Sequence, residues 1–529
     1  MTKTEAPSNA NIVDYLFEAC LRPEHADRTA FIVGDKHYSF ADIHRRVCQV
    51  ANLLRSCGIQ PGERVMISVM DGRDFPALFL GALKMGAVAV AINTFLKPAD
   101  YRYYINDSGA KALFIDTSLV PAIEEIKAEL AEVAHIIVAG SQATGYPFLD
   151  EALAAQPMQA PTLPRTGDDM AFFLYSSGTT GAPKGVVHRH ADIYHATELF
   201  GLGVQGISRD DVVQCAPKMF FAFGLGNQVY FPLRAAATVV VNPEPATPAR
   251  LWDLWLKHEP TIAMSVPTLY AGMLRLAETE IDRERVRHAL RRMRFAVSGG
   301  EALPPSLAKK WLEFTGVEIL DGVGTTEMTH MFLLNRPGHS VPGSCGRIVE
   351  GYRALIVDDE GRQLPTGEVG NLLVCGDSAM RQYWNKPDRT AAAIRDGGVL
   401  TGDKVRVDQQ GNYYFVGRSD DMLRVGGVWV SPIEVETVLS KHPSVLECAV
   451  VGVPDDNEMI KPKGFVVPRD ANVGDKAALE RELKEFCRSH LAHIKCPRWI
   501  EIVDELPKTT TGKIQRFRLR GTGASPVKT

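Results

Sequence analysis

No cysteine pair in this chain has the spacing of a metal or disulfide site. The nine cysteines (Cys20, Cys48, Cys57, Cys215, Cys345, Cys375, Cys448, Cys487 and Cys496) are scattered. No Cys-x-x-Cys or Cys/His cluster occurs, so neither a zinc site nor a disulfide framework follows, and a reducing cytoplasm is the expected setting. No uninterrupted apolar run reaches membrane-spanning length. The most apolar stretch, 78–90, is interrupted by Lys84 and broken at Gly86, and reads as a buried helix passing into a strand. The first ten residues are polar and lack the apolar centre of a signal peptide. Net charge is also scarce: 59 Lys and Arg stand against 63 Asp and Glu, leaving -4. No global field therefore draws the chain to nucleic acid, and neither nucleic acid nor membrane is an expected partner. What is present is ordinary for a globular enzyme, with 45% hydrophobic and 23% charged residues. At 529 residues the chain exceeds a single core, and two to four structural units are expected.

Along the first half, strand and helix patterns alternate: strands over 64–69, 87–92, 110–115 and 135–138, and helices over 74–85, 98–106 and 119–133. After Gly185 the rhythm resumes with strands over 238–241, 262–266 and 293–298 and helices over 248–258 and 269–278. This βαβ order predicts mostly parallel, helix-covered sheets. From Gly346 short strand-like runs with turn signals suggest a small barrel-like sheet. After Arg418 comes a third texture: helices over 432–442 and 476–491, and strands over 445–453 and 498–503. The expected organisation is a large N-terminal α/β domain over 1–417, a hinge over 418–421, a small α+β domain over 422–520 and a disordered tail over 521–529.

The densest chemical signal is Tyr175-Ser176-Ser177-Gly178-Thr179-Thr180-Gly181-Ala182-Pro183-Lys184-Gly185. It follows an apolar run, 170–174, that reads as a buried strand. A Gly/Ser/Thr loop leaving a strand aims N–H and O–H donors at one anion, and a lysine adds a point charge suited to phosphate. The loop has no acidic residue. It is not a P-loop, because Pro183 stands where the second glycine of Gly-x4-Gly-Lys-Ser/Thr belongs. Handling of a nucleoside triphosphate is the chemistry implied.

Five further segments add to it, of which the first three are weak one by one. Ser298-Gly299-Gly300-Glu301 ends a strand, where paired glycines let a flat ligand approach backbone. Asp321-Gly322-Val323-Gly324-Thr325-Thr326-Glu327 reads as a second strand-end loop. Its Glu327 suits Mg²⁺, which takes one or two carboxylates plus phosphate oxygens. In Leu400-Thr401-Gly402-Asp403, an aspartate after a tight turn has acceptors for ribose hydroxyls. Gly417-Arg418-Ser419-Asp420-Asp421, running on to Arg424, Gly426 and Gly427, combines Arg, paired Asp and paired Gly. Last, Pro507-Lys508-Thr509-Thr510-Thr511-Gly512-Lys513 lies in a basic stretch free of acidic residues.

Taken together and in this order, the six segments resemble the acyl/aryl-CoA synthetase family of adenylate-forming enzymes over nearly the whole chain. The family's Ser-Ser-Gly-Thr-Thr-Gly-x-Pro-Lys-Gly loop is matched without a gap. Its Thr-Gly-Asp, Gly-Arg-x-Asp-Asp and Pro-Lys-x-x-x-Gly-Lys segments match at 401–403, 417–421 and 507–513. Its Tyr-Gly-x-Thr-Glu segment is matched except that Val323 replaces the tyrosine. The resemblance implies a carboxylic acid activated by Mg-ATP as an acyl-adenylate and passed to coenzyme A. It implies ATP contacts from Ser176, Ser177, Gly178, Thr179, Thr180, Gly181, Lys184, Gly299, Gly300, Glu301, Asp321, Gly322, Thr325 and Thr326. Glu327 would hold Mg²⁺, and Asp403 and Arg418 the ribose. Lys513 and Thr326 would act as catalytic residues, Asp420 as hinge, and Arg424, Gly426 and Gly427 as CoA contacts. A lysine acetyltransferase and deacetylase acting on Lys513 would be regulatory partners, since acetylation would remove its charge. A monomer and a homodimer are both open.

Within the family, Met219-Phe220-Phe221-Ala222-Phe223-Gly224-Leu225-Gly226-Asn227, Glu327-Met328-Thr329-His330 and 75–84 look like the benzoate-CoA ligase branch. The expected acid pocket is a slot lined by Phe220, Ala222 and Phe223 and closed by Gly299 and Gly324. His330 would meet a carboxylate or a ring substituent. The alternatives are a medium-chain fatty acyl-CoA synthetase, a stand-alone adenylation domain and a luciferase-like oxidase.

Overall fold

The computed structural model describes residues 11–520 except 131, 142–144, 177–182, 420, 426–427, 456–458, 471–473 and 509–513, with backbone alone at 424, 428, 429 and 517. The chain divides into two compact units. One comprises Met1–Ala354 with Val374–Val399, the other Leu355–Leu373 with Leu400–Thr529. The strands around 400–418 are thus counted with the later part of the chain. A hinge at 418–421 is a statement about motion, and Asp420 lies outside the described residues, as does the tail 521–529.

The first unit holds two large sheets. In the seven-stranded sheet the strands lie in the order Gln382–Tyr383, Lys184–Arg189, Met170–Ser176, Val88–Ala91, Arg64–Ser68, Ala112–Asp116 and His135–Ala139. The last five are parallel, and Lys184–Arg189 is antiparallel to both neighbours. The nine-stranded sheet has a parallel centre: Ile319–Gly324, Phe295–Ser298, Ile262–Ser265, Val212–Cys215, Thr238–Val241 and Thr29–Val33. Antiparallel strands Met331–Leu334, Arg347–Ile348 and Lys36–Ser39 finish its edges. Fully buried parallel strands need apolar residues on both faces, and Val88–Ala91 and Ile262–Ser265 are buried at every position.

Helix Pro248–His258 shows how the cover is built. Thr247 caps it by accepting from the Arg250 amide, Pro248 opens it, and Leu251, Trp252, Leu254 and Trp255 form its buried stripe. Trp252 stacks on Trp311 of helix Pro305–Thr315 at 6.0 Å between ring centroids. The helix expected over 119–133 is instead a short helix, Val120–Glu124, and a single 3-10 turn, Lys127–Glu129, with few buried residues to hold a longer one.

The second unit contains the antiparallel strands Gly398–Val407, part of which it takes, and Tyr413–Arg418. It also contains the hairpin Leu423–Val425/Val428–Val430, and a three-stranded sheet of Val445–Pro454, Ile460–Pro468 and Trp499–Ile502. Helices Pro432–Leu439 and Lys476–His490 share its core with Val450, Val466 and Ile500. The strand Ile460–Pro468 was not foreseen. Its alternation is broken by Pro462 and Pro468, and pairing with Val445–Pro454 decides it.

Candidate active site

Strand Met170–Ser176 delivers the phosphate-binding loop, and the antiparallel strand Lys184–Arg189 takes it away, with Ser176 paired directly to Lys184. Ser177, Gly178, Thr179, Thr180 and Gly181 lie outside the described residues, but both ends of the loop are placed. Ser176 Oγ donates to Glu327 Oε1 at 3.4 Å. Tyr383 OH donates to the same oxygen at 2.9 Å. The Lys184 ammonium sits 4.2 Å over the Tyr383 ring. The fold therefore brings Glu327 from 151 positions away to Ser176 and Lys184. It adds Tyr383, which no motif reading named; the aromatic pair Tyr383-Trp384 ahead of Pro387 was the available signal.

Glu327 does not sit in a loose loop. Ile319–Gly324 is a strand, followed by a 3-10 turn, Thr326–Met328; this corrects the strand-end loop expected there. Two of its glycines are explained by packing. A Cβ on Gly322 would stand 2.6 Å from the Leu333 carbonyl oxygen, and one on Gly324 would stand 2.7 Å from the His330 carbonyl oxygen. The neighbouring strand Met331–Leu334 leaves no room. The Thr325 hydroxyl is buried and has no partner among the described residues, which leaves a donor for a ligand. Among those residues no group of three or more His, Cys, Asp or Glu gathers as a metal cage. A single carboxylate fits Mg²⁺, which is held largely through phosphate oxygens.

Gly299 and Gly300 follow the strand Phe295–Ser298, and Gly300 has φ +84°, a conformation that favours glycine. Glu301 is held to helix Pro267–Glu280, accepting from the Thr268 hydroxyl at 2.9 Å. Asp321 pairs in register with Ser298. Burial pushes its carboxyl up to about 8, against the opposing pull of the Leu303 and Gly322 amides. The folded chain thus holds this proton more tightly than the unfolded chain does. The stability it supports is fully present below the ordinary carboxylate value of 3.8 and is lost progressively as pH rises from there through about 8. Asp321→Asn, which mimics the protonated form, is expected to gain thermal stability relative to the wild type across that interval. Parallel thermal melts from mildly acidic pH up through about 8 check this, and a gap between the two proteins that stays constant below about 8 would contradict it.

On the acid side, a Cβ on Gly299 would lie 2.2 Å from Met331 Cε and 3.6 Å from Phe223 Cε1, so Gly299, Met331 and Phe223 pack together. Ala222 opens the short helix Ala222–Leu225, and Phe220 is buried against Phe221 at 4.5 Å. His330 is buried among Phe200, Phe223 and Phe231, with ring centroids 4.6, 5.7 and 4.8 Å away. Burial pulls its imidazole down to about 3, so the ring is neutral. Asn227 Nδ2 lies 3.0 Å from His330 Nε2 and donates to the Phe223 carbonyl at 2.9 Å. With Nε2 accepting from Asn227, Nδ1 carries the proton, and it has no partner among the described residues. Phe200 and Phe231 were missed because they belong to unremarkable apolar segments, and Asn227, in the segment read as the acid pocket, was given no role of its own.

The ribose candidates lie in the second unit. Asp403 and Arg418 face each other in register on paired strands, and Arg418 Nη1 donates to Asp403 Oδ1 at 2.7 Å and to the Thr401 carbonyl at 3.1 Å. Asp403 was expected after a tight turn. It lies within the strand Gly398–Val407, where Gly402 has φ +75°. Lys513, Asp420, Gly426 and Gly427 lie outside the described residues, and Arg424 is described by its backbone alone, in the strand Leu423–Val425.

Residues 17–384 match the family described as AMP-binding enzyme, and residues 434–513 match its C-terminal domain. A benzoate–CoA ligase of Thauera aromatica is 43% identical over 97% of this chain and 96% of its own. The anthranilate CoA ligase AuaEII, solved in complex with anthranoyl-AMP, superposes with a TM-score of 0.92 at 40% identity, covering 99% of each chain. A benzoate CoA ligase from Burkholderia xenovorans superposes with a TM-score of 0.88 at 39% identity, over 97% of this chain and all of that one.

Proposed function

The chain belongs to the AMP-binding enzyme family, and from that premise we propose that it is an AMP-forming ligase joining an aromatic carboxylic acid, benzoate or a substituted benzoate, to coenzyme A. In the first step a carboxylate oxygen attacks the α-phosphorus of ATP and the bond to pyrophosphate breaks, leaving the acyl-adenylate. In the second the CoA thiol adds to the acyl carbon, gives up its proton, and AMP leaves. Such chemistry depends chiefly on positioning and on stabilising charge. The observation that carries the reading is the meeting of Ser176, Lys184 and Glu327 at the two ends of the phosphate-binding loop.

In this reading Ser176 to Lys184 hold the β- and γ-phosphates and Thr326 contacts the α-phosphate. Asp403 with Arg418 holds the ribose, and Gly299 to Glu301 with Asp321 and Gly322 border the adenine. Thr325 offers its free hydroxyl. Mg²⁺, held by Glu327 and phosphate oxygens, would supply neutralising charge. Lys513 bridges the acid and the phosphate during adenylation, and a turn of the C-terminal domain about Asp420 replaces it with Arg424, Gly426 and Gly427 for thioester formation. The setting is cytoplasmic, and acetylation of Lys513 would switch the first step off. Among the described residues no helix is long and apolar enough to cross a membrane.

Aromatic acid is favoured over a straight chain by the relatives named above and by the ring-lined surroundings of Phe223 and His330. Pyrophosphate release with a panel of benzoates and straight-chain acids, with and without CoA, tests it. Octanoate surpassing every benzoate in kcat/KM would overturn the aromatic reading. Ala222→Leu is expected to raise KM for benzoate, by roughly tenfold if one side chain's worth of space is lost, with KM for ATP unchanged. An equal change in both constants would remove Ala222 from the acid pocket.

A further inference from the structure

Between the candidate metal carboxylate, Glu327, and the candidate pocket residue, His330, the backbone makes an unusual turn. Thr329 has φ 67° and ψ -39°, and the His330 amide donates to the Met328 carbonyl at 2.7 Å. This is a γ-turn with positive φ at its centre, the rare and strained form. Threonine is among the residues least suited to it, because β-branching crowds the backbone there. Glycine would take the same conformation without cost, yet the chain places threonine.

The side chain shows why. The Thr329 hydroxyl donates to the Ser378 carbonyl at 2.7 Å, and its oxygen lies 3.1 Å from His188 Nδ1. His188 Nε2 lies 2.7 Å from the Thr326 carbonyl oxygen, and Nδ1 lies 3.0 Å from Asp192 Oδ2. Carbonyl oxygens and carboxylates only accept, and Arg189 pairs with Asp192 through its guanidinium at 2.9 Å. The ring is thereby held at Nε2 by the Thr326 carbonyl and at Nδ1 by Asp192 and Thr329. Ser378 Oγ closes the set by donating to the Met328 carbonyl at 2.9 Å. Thr329, His188, Asp192 and Ser378 are all buried. The carbonyls of Thr326 and Met328 are thus tied to His188 and to Ser378, and the side chain of Thr329 meets both. His188 stands on the strand that begins at Lys184, four residues along and on the same face.

We infer that Thr329 is a positioning residue: the strained turn, clamped by His188–Asp192 and by Ser378, sets the metal-side carboxylate of Glu327 and the pocket-side ring of His330 in fixed relation. Strain retained at one residue by surrounding bonds that over-determine it is the signature of a site where geometry matters more than local stability. The inference rests on the roles proposed above for Glu327 and His330.

Three variants test it: Thr329→Gly, which relieves the strain and releases the clamp; Thr329→Val, which keeps the shape and loses the hydroxyl; and Thr329→Ser, which keeps the hydroxyl. Each is assayed for pyrophosphate release with the acid the wild type turns over fastest, with thermal melts alongside. Gly and Val are expected to raise both KM for the acid and the Mg²⁺ concentration for half-maximal rate, about 10- to 100-fold as for a small misplacement of reacting groups. Ser is expected to stay near the wild type. A role in folding alone would lower the amount of active enzyme and leave both constants in place. Wild-type constants in the Gly variant, or Val and Ser variants alike, would overturn the inference. A wild type that prefers octanoate removes the aromatic reading, while the comparison among the Thr329 variants still decides this one.

Discussion

Lys513→Ala is expected to slow adenylate formation by about 10²–10³-fold, the usual loss when one strong electrostatic contact to a developing charge is removed. The proposed role confines the lysine to the first half-reaction. Thioester formation from preformed aroyl-AMP and CoA is therefore expected to continue near the wild-type rate. Pyrophosphate release and single-turnover thioester formation, measured on one preparation, separate the two. Equal losses in both half-reactions would end the assignment of Lys513 to adenylation, and so would an active, fully acetylated enzyme.

Glu327→Gln is the second large effect. The amide keeps the size of the side chain and an oxygen for the hydrogen bonds from Tyr383 at 2.9 Å and Ser176 at 3.4 Å, so the thermal midpoint is expected to hold. What is lost is the negative charge. Adenylate formation should fall by about 10²–10³-fold, and the Mg²⁺ concentration needed for half-maximal rate should rise. Titrating Mg²⁺ at saturating ATP reads this directly. An unchanged Mg²⁺ dependence would take the metal away from Glu327, and a lowered thermal midpoint with unchanged metal dependence would make it a structural partner of Tyr383.

The candidate site was legible to the extent that it rests on short contiguous segments. Ser176 and Lys184 flank one loop, and Thr326 and Glu327 are neighbours in one short turn, and each segment carries its own chemistry. Tyr383 and His188 were not legible. Neither lies in a motif read for chemistry, and each acquires its part only when a distant segment folds against it: Tyr383 across 56 positions from Glu327, and His188 across 138 from Thr326. His330 was read as a pocket residue, but its partner Asn227, 103 positions away, was not.

The alternation of strand and helix, with apolar runs too short for a membrane and glycines and hydroxyls at strand ends, determined by itself the fold class and the family of chemistry. Those properties are local: a periodicity of burial and a loop's donors are written in neighbouring residues. The tertiary structure alone decided that Asp321, Gly322 and Gly324 lie in a strand, and that a strained turn at Thr329 joins Glu327 to His330. Close packing against Met331–Leu334 and buried hydrogen bonds from remote segments impose these features, and such constraints have no signature in local sequence.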